Sequence, residues 1–395
     1  MSAQIDSSRP AKPPAWRDPN VTAMFFQVLV LSLVLYVIYT LINNTMMNLA
    51  ARGIASGFDF LSTSSGFSIS ETLIEYDESS SYGRVFWVGL MNTLLVSFLG
   101  IMLATVLGFI MGVARLSSNW IVAKIAMIYV DTLRNIPLLL QLFFWYFAVL
   151  RPLPKPKAAI DWFDSIFLSN RGLYMPKPIF ESGFGLIWAA LIVAIIGIFF
   201  MRRWAKKRQE KTGEQFPVLL TSLGIIIGMP LLAAIITGFP MSWDFPELKG
   251  FNFKGGMVLT PEFCSLLFAL SIYTSSFIAE IVRSGIMAVN KGQTEAAYAL
   301  GLRPNLTTRL IIIPQALRVI IPPLTSQYLN LTKNSSLAAA IAYPDLVAVF
   351  AGTTLNQTGQ AVEIMAMTLS VYLGLSLLIS TLMNWYNARM ALVER

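Results

Sequence analysis

The stretch VFWVGLMNTLLVSFLGIMLATVLGFIMGVA, at positions 85–114, decides the fold class of this chain. It contains no charged residue and is long enough to cross a membrane, because a helix rises about 1.5 Å per residue and the hydrocarbon is about 30 Å thick. Lipid offers no hydrogen-bonding partner to backbone groups, so a spanning segment must satisfy them internally. We therefore predict a membrane-spanning α-helix here.

Similar apolar stretches recur along the whole sequence. Seven more predicted spans lie near 24–42, 122–150, 186–201, 217–238, 259–286, 312–342 and 362–386. Apolar residues make up 55% of the 395 residues and charged residues only 13%, whereas a soluble domain has about a quarter charged. The sequence thus predicts an all-α, polytopic helical membrane protein with about eight transmembrane helices.

Basic residues determine the predicted orientation. The N-terminal tail carries Arg9, Lys12 and Arg17, whereas the loop 43–84 is mainly acidic. Lys and Arg concentrate in cytoplasmic loops, so we expect both termini in the cytoplasm. The densest basic run then also falls inside and comprises Arg202, Arg203, Lys206, Lys207, Arg208 and Lys211. The basic loop 151–185 is predicted to lie outside, because longer loops follow the rule less strictly.

The composition also excludes several kinds of site. The chain has no histidine and one cysteine, Cys264, which excludes an internal disulfide and the usual zinc sites. It contains no GxSxG, HExxH or GxxxxGK[ST] motif, so we expect neither a hydrolase site nor an ATP site. Basic loops that face an anionic leaflet explain the net charge of +8 without nucleic acid. We expect a transport subunit, not an enzyme, with no metal and no cofactor of its own.

One predicted cytoplasmic loop contains the most informative sequence. Positions 292–324 read GQTEAAYALGLRPNLTTRLIIIPQALRVIIPPL. The residues from Glu295 to Leu300 favour a short helix that Thr294 is placed to cap. Gly301 permits a left-handed stop, and Pro304 prevents the helix from continuing. The pattern predicts a short, stiff helix between two spans.

The same segment resembles the EAA signature of ABC importer permeases, which is EAA, three residues, Gly, nine residues, then Ile, any residue, Leu and Pro. The matching residues are Glu295, Ala296, Ala297, Gly301, Ile311 and Pro314, with Ile313 where the family usually has Leu. The resemblance implies that the short helix is a coupling helix, which docks in a groove of an ATPase subunit. It also implies the type I importer fold, with a core of five helices.

Three further runs resemble permeases of bacterial importers for polar or general L-amino acids. AEIVRSGI (279–286), LRNIPLLLQLFF (133–144) and KNSSL (333–337) are similar to the family's EIFRGGI, FRGTPLLVQ and KDTSL. The resemblance implies a place in the inner membrane. The implied partners are two cytoplasmic ABC ATPase subunits, a second and non-identical permease, and a periplasmic amino-acid-binding protein. ATP and magnesium would bind to the ATPase subunits.

The spans and the resemblance together divide the chain into five parts. These are a cytoplasmic tail (1–23), an extra first span with a periplasmic loop (24–84), the first part of the permease core (85–150), an insertion with two additional spans (151–258), and the second part of the core (259–395) with the coupling loop 287–311.

A polar face is predicted on the helix after Pro322 and Pro323, which we expect to interrupt the preceding helix. Gln327, Asn330 and Asn334 are three and four residues apart, so they share one side. The candidate substrate path comprises Gln327, Asn330, Lys333, Asn334 and Ser335. A lysine is costly in lipid, so this face is expected to turn to the bundle interior, where it suits a substrate carboxylate. The alternative is that it only packs against the partner permease.

Other intramembrane polar residues have less defined roles. Asp131 and Arg134 are three apart, as are Glu280 and Arg283, so each pair is a candidate gate ion pair. Structural pairing or lipid-headgroup anchoring explains these pairs equally well. The same choice, between helix contact and solute contact, applies to Asn92, Thr93 and Ser97. The small residues Gly100, Ala104, Gly108 and Gly112 favour close helix packing.

A secondary transporter or channel that is not driven by ATP is the alternative function. Such a protein also needs a polar pathway, and inverted repeats with broken helices are typical of it. The two halves of this sequence show no such repeat. Co-purification of an ATPase chain would favour the importer, and its absence would favour the alternative.

Overall fold

Helices dominate the structure, which is a computed structural model and describes residues 19–51 and 56–390. The tail residues Arg9, Lys12 and Arg17, on which the predicted orientation partly rests, lie outside the described residues. The α-helices are α1 (Pro19–Ala51), α2 (Tyr82–Ala114), α3 (Trp120–Asn135), α4 (Leu138–Phe143), α5 (Phe184–Thr212), α6 (Val218–Ile236), α7 (Pro261–Met287), α8 (Lys291–Ala299), α9 (Pro304–Thr307), α10 (Ile313–Asn334), α11 (Leu355–Thr358) and α12 (Ala361–Met390). Turns of π-helix occupy Phe144–Leu150, Thr308–Ile312 and Val347–Thr354, and 3₁₀ turns occupy Asp59–Ser62, Pro156–Ala158 and Ser335–Ile341.

In the described part of the chain, seven helical segments are long and apolar enough to cross a membrane. They lie in α1, α2, α5, α6, α7, the run Pro304–Ile341 around α10, and α12. The prediction of a polytopic helical membrane protein is confirmed. No side chain in the apolar window of α1 is buried, so this helix presents its whole apolar surface outward.

The predicted span 122–150 is strongly bent. It is an eighth span only if its two helical segments are taken together as one membrane crossing. α3 and the segment Leu138–Leu150 meet at 107°. Ile136, at the break, has φ −94° and ψ 126°, the extended conformation that the ring of the following Pro137 favours. The side chain of Asn119 caps the other end of α3 by accepting hydrogen bonds from the N–H groups of Ile121 and Val122.

The two prolines of α10 do not interrupt it, so that prediction is wrong. α10 continues from Ile313 to Asn334 with Pro322 and Pro323 inside it. A proline removes one N–H donor from the helix, and neighbouring structure in a membrane bundle satisfies the freed backbone groups. The polar residues therefore belong to the same helix that begins near the coupling segment.

The fourth predicted span is longer than expected. Its apolar stretch, 186–201, forms only the first part of α5, which continues through the basic run to Thr212. Arg and Lys are good helix formers, and no breaker occurs until Gly213, whose φ of 75° ends the helix in the left-handed conformation.

Short strands, which the sequence did not predict, surround α5 and α6. They are β1 (Ile160–Trp162), β2 (Ile166–Ser169), β3 (Gly172–Met175), β4 (Lys177–Phe180), β5 (Met241–Asp244), β6 (Glu247–Lys249), β7 (Asn252–Lys254) and β8 (Met257–Leu259). β1, β2, β3 and β8 form one antiparallel sheet, and β4–β5 and β6–β7 form two-stranded ladders. Strands of three or four residues are too short to give an alternating pattern. The pairing of β4 with β5 closes the hairpin of spans α5 and α6.

The contacts divide the chain into two compact units. One comprises Met1–Leu95 and Pro344–Leu382, and the other comprises Val96–Tyr343 and Met383–Arg395. The described core of the first unit is built on aromatic rings. Phe350 stacks on Phe60 at 6.3 Å between ring centroids and meets Phe86 edge to face at 5.1 Å. The second unit contains α7, α8 and α10, and therefore most of the candidate functional residues.

Candidate functional site

The segment between α7 and α10 forms the predicted short helix, α8. It begins at Lys291, four residues before Glu295, and its cap is not Thr294 as predicted. Asn290 caps it, because its Oδ1 accepts a hydrogen bond of 2.8 Å from the N–H of Gly292. A cap on Asn290 adds one turn to the helix.

α8 has one face toward its own chain and one face outward. Ala297 is only 1% exposed, so this alanine packs within the chain and is not available to a partner. Glu295 and Ala296 are exposed. Tyr298 is 51% and Leu300 81% exposed, so the outward face carries two large apolar side chains. Such a face at the end of a membrane bundle is suited to bind another protein.

The expected left-handed stop after α8 is present. Gly301 has φ 74°, and its N–H donates a 2.9 Å hydrogen bond to the carbonyl of Tyr298. The N–H of Leu302 donates to the carbonyl of Ala297 over 3.1 Å, which closes the helix end in the manner of a Schellman motif. Pro304 then begins α9 at its first position.

The chain returns from α9 to α10 through the π-helical turn Thr308–Ile312. Ile311 lies in this turn and Pro314 is the second residue of α10, and both are half-buried. Nε2 of Gln315, in α10, donates a hydrogen bond of 3.4 Å to Oε1 of Gln293, in α8. The signature residues therefore lie on one continuous connection between α8 and α10.

An ion-pair network ties α7 to the segment after α2. Glu280 and Arg283 form the predicted pair, with 2.5 Å between Oε1 and Nη2. Glu280 also pairs with Nη1 of Arg115, a residue that sequence reasoning did not single out. Nothing in the sequence brings together two residues 165 positions apart, so this contact is visible only in the fold.

The other predicted pair is not formed. Oδ1 of Asp131 lies 3.9 Å from Nη2 of Arg115. The guanidinium of Arg134 instead lies over the ring of Phe277, 5.1 Å from its centroid. Helical spacing allows an i, i+3 contact, but partners on neighbouring helices outcompete it here.

The polar face of α10 lies on the outside of the chain's own bundle. Asn330 and Lys333 are exposed, and Gln327 and Asn334 are half-buried. The opposite face packs inward through Leu331, whose side chain lies within 3.1 Å of a Cβ placed on Gly100. The expectation that the polar face turns to the interior of this chain is therefore wrong. Such a face would be costly in lipid, so it has to meet another chain or a water-filled path.

Ser335 does not share this polar face. It is buried, and its Oγ donates a hydrogen bond of 2.8 Å to the carbonyl of Thr332. Tyr328, on the inward side, shares a 2.9 Å hydrogen bond with the hydroxyl of Thr105 in α2. Four of the five candidate path residues thus remain accessible.

The small residues of α2 allow close helix packing, as predicted. A Cβ on Gly108 would lie 2.5 Å from Cγ2 of Ile278, and a Cβ on Gly112 would lie 2.7 Å from the carbonyl of Ala279. Both neighbours lie in α7. Glycine is required at these positions because α7 leaves no room for a side chain.

Asn92 and Thr93 bind backbone atoms within the first unit. Nδ2 of Asn92 donates to the carbonyl of Pro344 over 2.9 Å, and the N–H of Leu346 donates to Oγ1 of Thr93 over 3.0 Å. These bonds indicate helix contact and not solute contact. Asp345 lies between Pro344 and Leu346 in the chain. Its buried carboxylate was not identified from the sequence.

Asp345 follows the span that ends at Ile341 and precedes α12, so it lies outside both membrane-spanning segments. Oδ1 accepts a 2.8 Å hydrogen bond from the N–H of Ala348, and Oδ2 accepts one of 3.4 Å from the hydroxyl of Tyr372. Burial raises the pKa of Asp345 from 3.8 to about 7, against the opposing effect of these hydrogen bonds. An Asp before a helical segment signals a cap, but only the fold reveals its burial.

Comparison with known proteins gives consistent matches. The family described as binding-protein-dependent transport system inner membrane component matches residues 216–392. YhdX of Escherichia coli (strain K12), described as an amino-acid ABC transporter permease protein, is 56% identical over 96% of this chain and 97% of its own length. The general L-amino acid transport system permease protein AapQ of Rhizobium johnstonii is 52% identical over 96% and 95%. The glutamate/glutamine/aspartate/asparagine transport system permease protein BztB of Rhodobacter capsulatus is 45% identical over 96% of each chain.

Proposed function

Because this chain belongs to the family of amino-acid ABC transporter permeases, we propose that it translocates L-amino acids into the cytoplasm with energy from ATP hydrolysed by separate subunits. A periplasmic binding protein would deliver the amino acid. The names of the relatives, which describe amino-acid transport, support this substrate class. The chain itself is a transport component, and ATP and magnesium would bind in its partners.

The observation that carries the proposal is the outward face of α8. Tyr298 projects from the nine-residue helix α8 and Leu300 from the residue that directly follows it, and the buried Ala297 holds this helix against its own chain. A secondary transporter or channel does not need such an exposed apolar face beyond the membrane. We propose that two ATPase subunits bind the coupling helices of two permeases, and that α8 transmits their closure to the bundle.

The connection to α10 supplies the mechanical link. α8 continues through Gly301 and the turn Thr308–Ile312 into α10, and Gln293 and Gln315 bridge the two helices. α10 carries Asn330 and Lys333 about four and five turns beyond Gln315 on the same helix. Movement of α8 would therefore reach the polar face through the short connection 300–303, α9 and the turn Thr308–Ile312.

We place the solute path at the junction with a second, non-identical permease. Asn330 and Lys333 are exposed on this chain, which supports a location between two subunits. The ammonium of Lys333 would attract the substrate carboxylate, and the amides of Gln327 and Asn334 would donate hydrogen bonds to it. Glu280 and Arg283 are proposed to act as a gate at one end of the spans. Arg115 is the third member of this gate, and the predicted Asp131–Arg134 pair is not part of it.

The proposed orientation has both termini in the cytoplasm of a bacterial inner membrane. The exposed residues Arg203, Lys206 and Lys207 near the end of α5 support this orientation, because cytoplasmic ends of spans are rich in Lys and Arg. α8 then also lies on the cytoplasmic side, where an ATPase can reach it.

The direct test is to purify the tagged full chain with its associated subunits and to compare Leu300→Asp with Leu248→Asp. Leu300 lies on the outward face of α8, whereas Leu248 is an exposed leucine of β6. We expect Leu300→Asp to lose the ATPase subunit and solute-stimulated ATP hydrolysis, and Leu248→Asp to keep both. Retention of the ATPase by Leu300→Asp at the wild-type ratio would refute docking through α8.

A further inference from the structure

A cavity of about 490 Å³ opens where α2 and α7 end and α3 begins. Its lining includes Arg115, Trp120, Lys124, Met127, Arg283 and Met287. Arg115 directly follows α2 and Met287 is the last residue of α7, so the cavity lies at one end of the spans. Neither the coupling segment nor the polar face of α10 contributes to it.

The cations of this cavity are only partly neutralised. Arg115 and Arg283 share the carboxylate of Glu280, and Asp131 lies 3.9 Å from Arg115. Among the described residues, no carboxylate oxygen lies within 4.0 Å of the Lys124 ammonium. Three cations therefore face two carboxylates, and an anion can approach the exposed Lys124 without displacing an ion pair.

One N–H group of the Arg283 guanidinium can still donate a hydrogen bond to a ligand in the cavity. Its Nη1 lies 2.8 Å from Sδ of Met287, and a thioether is a weak acceptor. An anionic oxygen would accept the same N–H far better, because hydrogen bonds between a guanidinium and an anion are charge-assisted. The geometry thus offers one free ammonium and one poorly satisfied guanidinium.

The remaining lining residues are apolar and are of the types found where a protein crosses the membrane interface. Trp120 is 73% exposed at the start of α3, and tryptophan is enriched where a protein crosses the headgroup level. Met127 lies about two turns farther into the span on the same side of α3. A small inorganic anion would bind the cations but would not contact Trp120 and Met127. An amphiphile would contact the cations and these apolar side chains.

We propose that this cavity binds the phosphate of an anionic phospholipid, with Lys124 and Arg283 holding the phosphate and Trp120 and Met127 covering the first part of an acyl chain. Basic pockets between membrane helices bind such headgroups. The site shares Arg115 and Arg283 with the proposed gate, whereas the polar face of α10 does not contribute to it. The bound lipid would brace α2, α3 and α7 at the level of the Glu280 network.

The test uses the full chain with its co-purifying subunits, incubated with equal amounts of phosphatidylglycerol and phosphatidylcholine and examined by native mass spectrometry. We expect preferential retention of phosphatidylglycerol. Lys124→Gln should reduce its retention about fivefold, the effect of one cation near an anionic headgroup. Lys124→Arg keeps the charge and should retain the lipid. Lys211→Gln, an exposed lysine at the end of α5, is the matched control and should behave as wild type.

Several results would overturn the assignment. Equal retention of the two lipids, or equal losses in Lys124→Gln and Lys211→Gln, would show that the cavity does not select the headgroup. Release of phosphatidylglycerol by excess inorganic phosphate would assign the site to the free anion. A crosslink from Lys124 to a co-purified subunit would assign the cavity to a protein partner. A thermal unfolding curve of Lys124→Gln that matches wild type is expected, because Lys124 is exposed.

Discussion

Gly285, in α7, and Ile320, in α10, pack so closely that a Cβ on Gly285 would lie 2.4 Å from Cγ1 of Ile320. α8 lies in the chain between these two helices. The contact therefore fixes the base from which the coupling helix projects, and it explains the glycine of the AEIVRSGI run in steric terms.

The first prediction concerns this contact. Gly285→Val should lower the melting temperature of the detergent-purified protein, because overpacking a close helix contact costs about 1–3 kcal/mol. Gly224→Ala is the control, since a Cβ there meets nothing within 4 Å and alanine favours a helix. Thermal unfolding followed by tryptophan fluorescence measures both. Equal melting temperatures for Gly285→Val and wild type would refute the close packing.

The second prediction concerns the stop of α8. Gly301 has φ 74°, which a β-branched residue adopts only with strain of about 1–3 kcal/mol. Gly301→Val should therefore lower both transport and ATPase stimulation, by roughly tenfold. Asparagine tolerates this conformation, so Gly301→Asn should keep most of both activities.

The readout that separates coupling from solute capture is association of the amino-acid-loaded binding protein with the assembled complex, which we expect Gly301→Val to leave unchanged. If Gly301→Val stimulates ATP hydrolysis as well as Gly301→Asn does, the left-handed stop has no role in coupling.

The third prediction concerns the polar face of α10. Lys333→Met keeps the side-chain length but removes the charge, and should lower transport by about tenfold or more, since a hydrogen bond to a charged group contributes about 1.5–3 kcal/mol. Asn334→Leu should lower it as well. Both complexes should retain the ATPase subunits. Lys254→Met, at the exposed last position of β7, is the matched control. Native transport rates in both path variants would place the solute elsewhere.

The fourth prediction concerns pH. Burial raises the pKa of Asp345 to about 7, so the folded protein keeps a proton there that the unfolded chain releases near pH 4. Its contribution to stability is then full below about pH 4 and is lost as the pH rises toward 7. Asp345→Asn keeps an acceptor for the Ala348 N–H and cannot ionise. The difference in melting temperature between Asp345→Asn and wild type should grow from pH 5 to about pH 8. A constant difference would contradict the burial.

Much of the fold follows from the sequence because lipid imposes simple rules. Length and polarity alone identify the seven long apolar helices, and the EAA segment identifies the family that the full-length relatives confirm. The positive φ of Gly301 follows from the same local chemistry. In each case the residues that determine the feature lie within one short stretch of sequence.

The errors arose where the cause lies in distant contacts. Pro322 and Pro323 resemble a helix break, yet the surrounding bundle accommodates them within α10. Arg115 displaces Arg134 as the partner of Asp131 because the fold brings α2 and α3 together. The burial of Asp345 likewise depends on Tyr372 and on the backbone at Pro344, which no local pattern reveals.

The most direct test of the central claim is amino-acid uptake into proteoliposomes that contain the purified complex, with ATP enclosed and the binding protein outside. We predict uptake that needs ATP, the binding protein and the ATPase subunits. Gly301→Val should lower this uptake about tenfold, and Gly301→Asn should preserve most of it. Uptake by this chain alone, without ATP, would contradict the account.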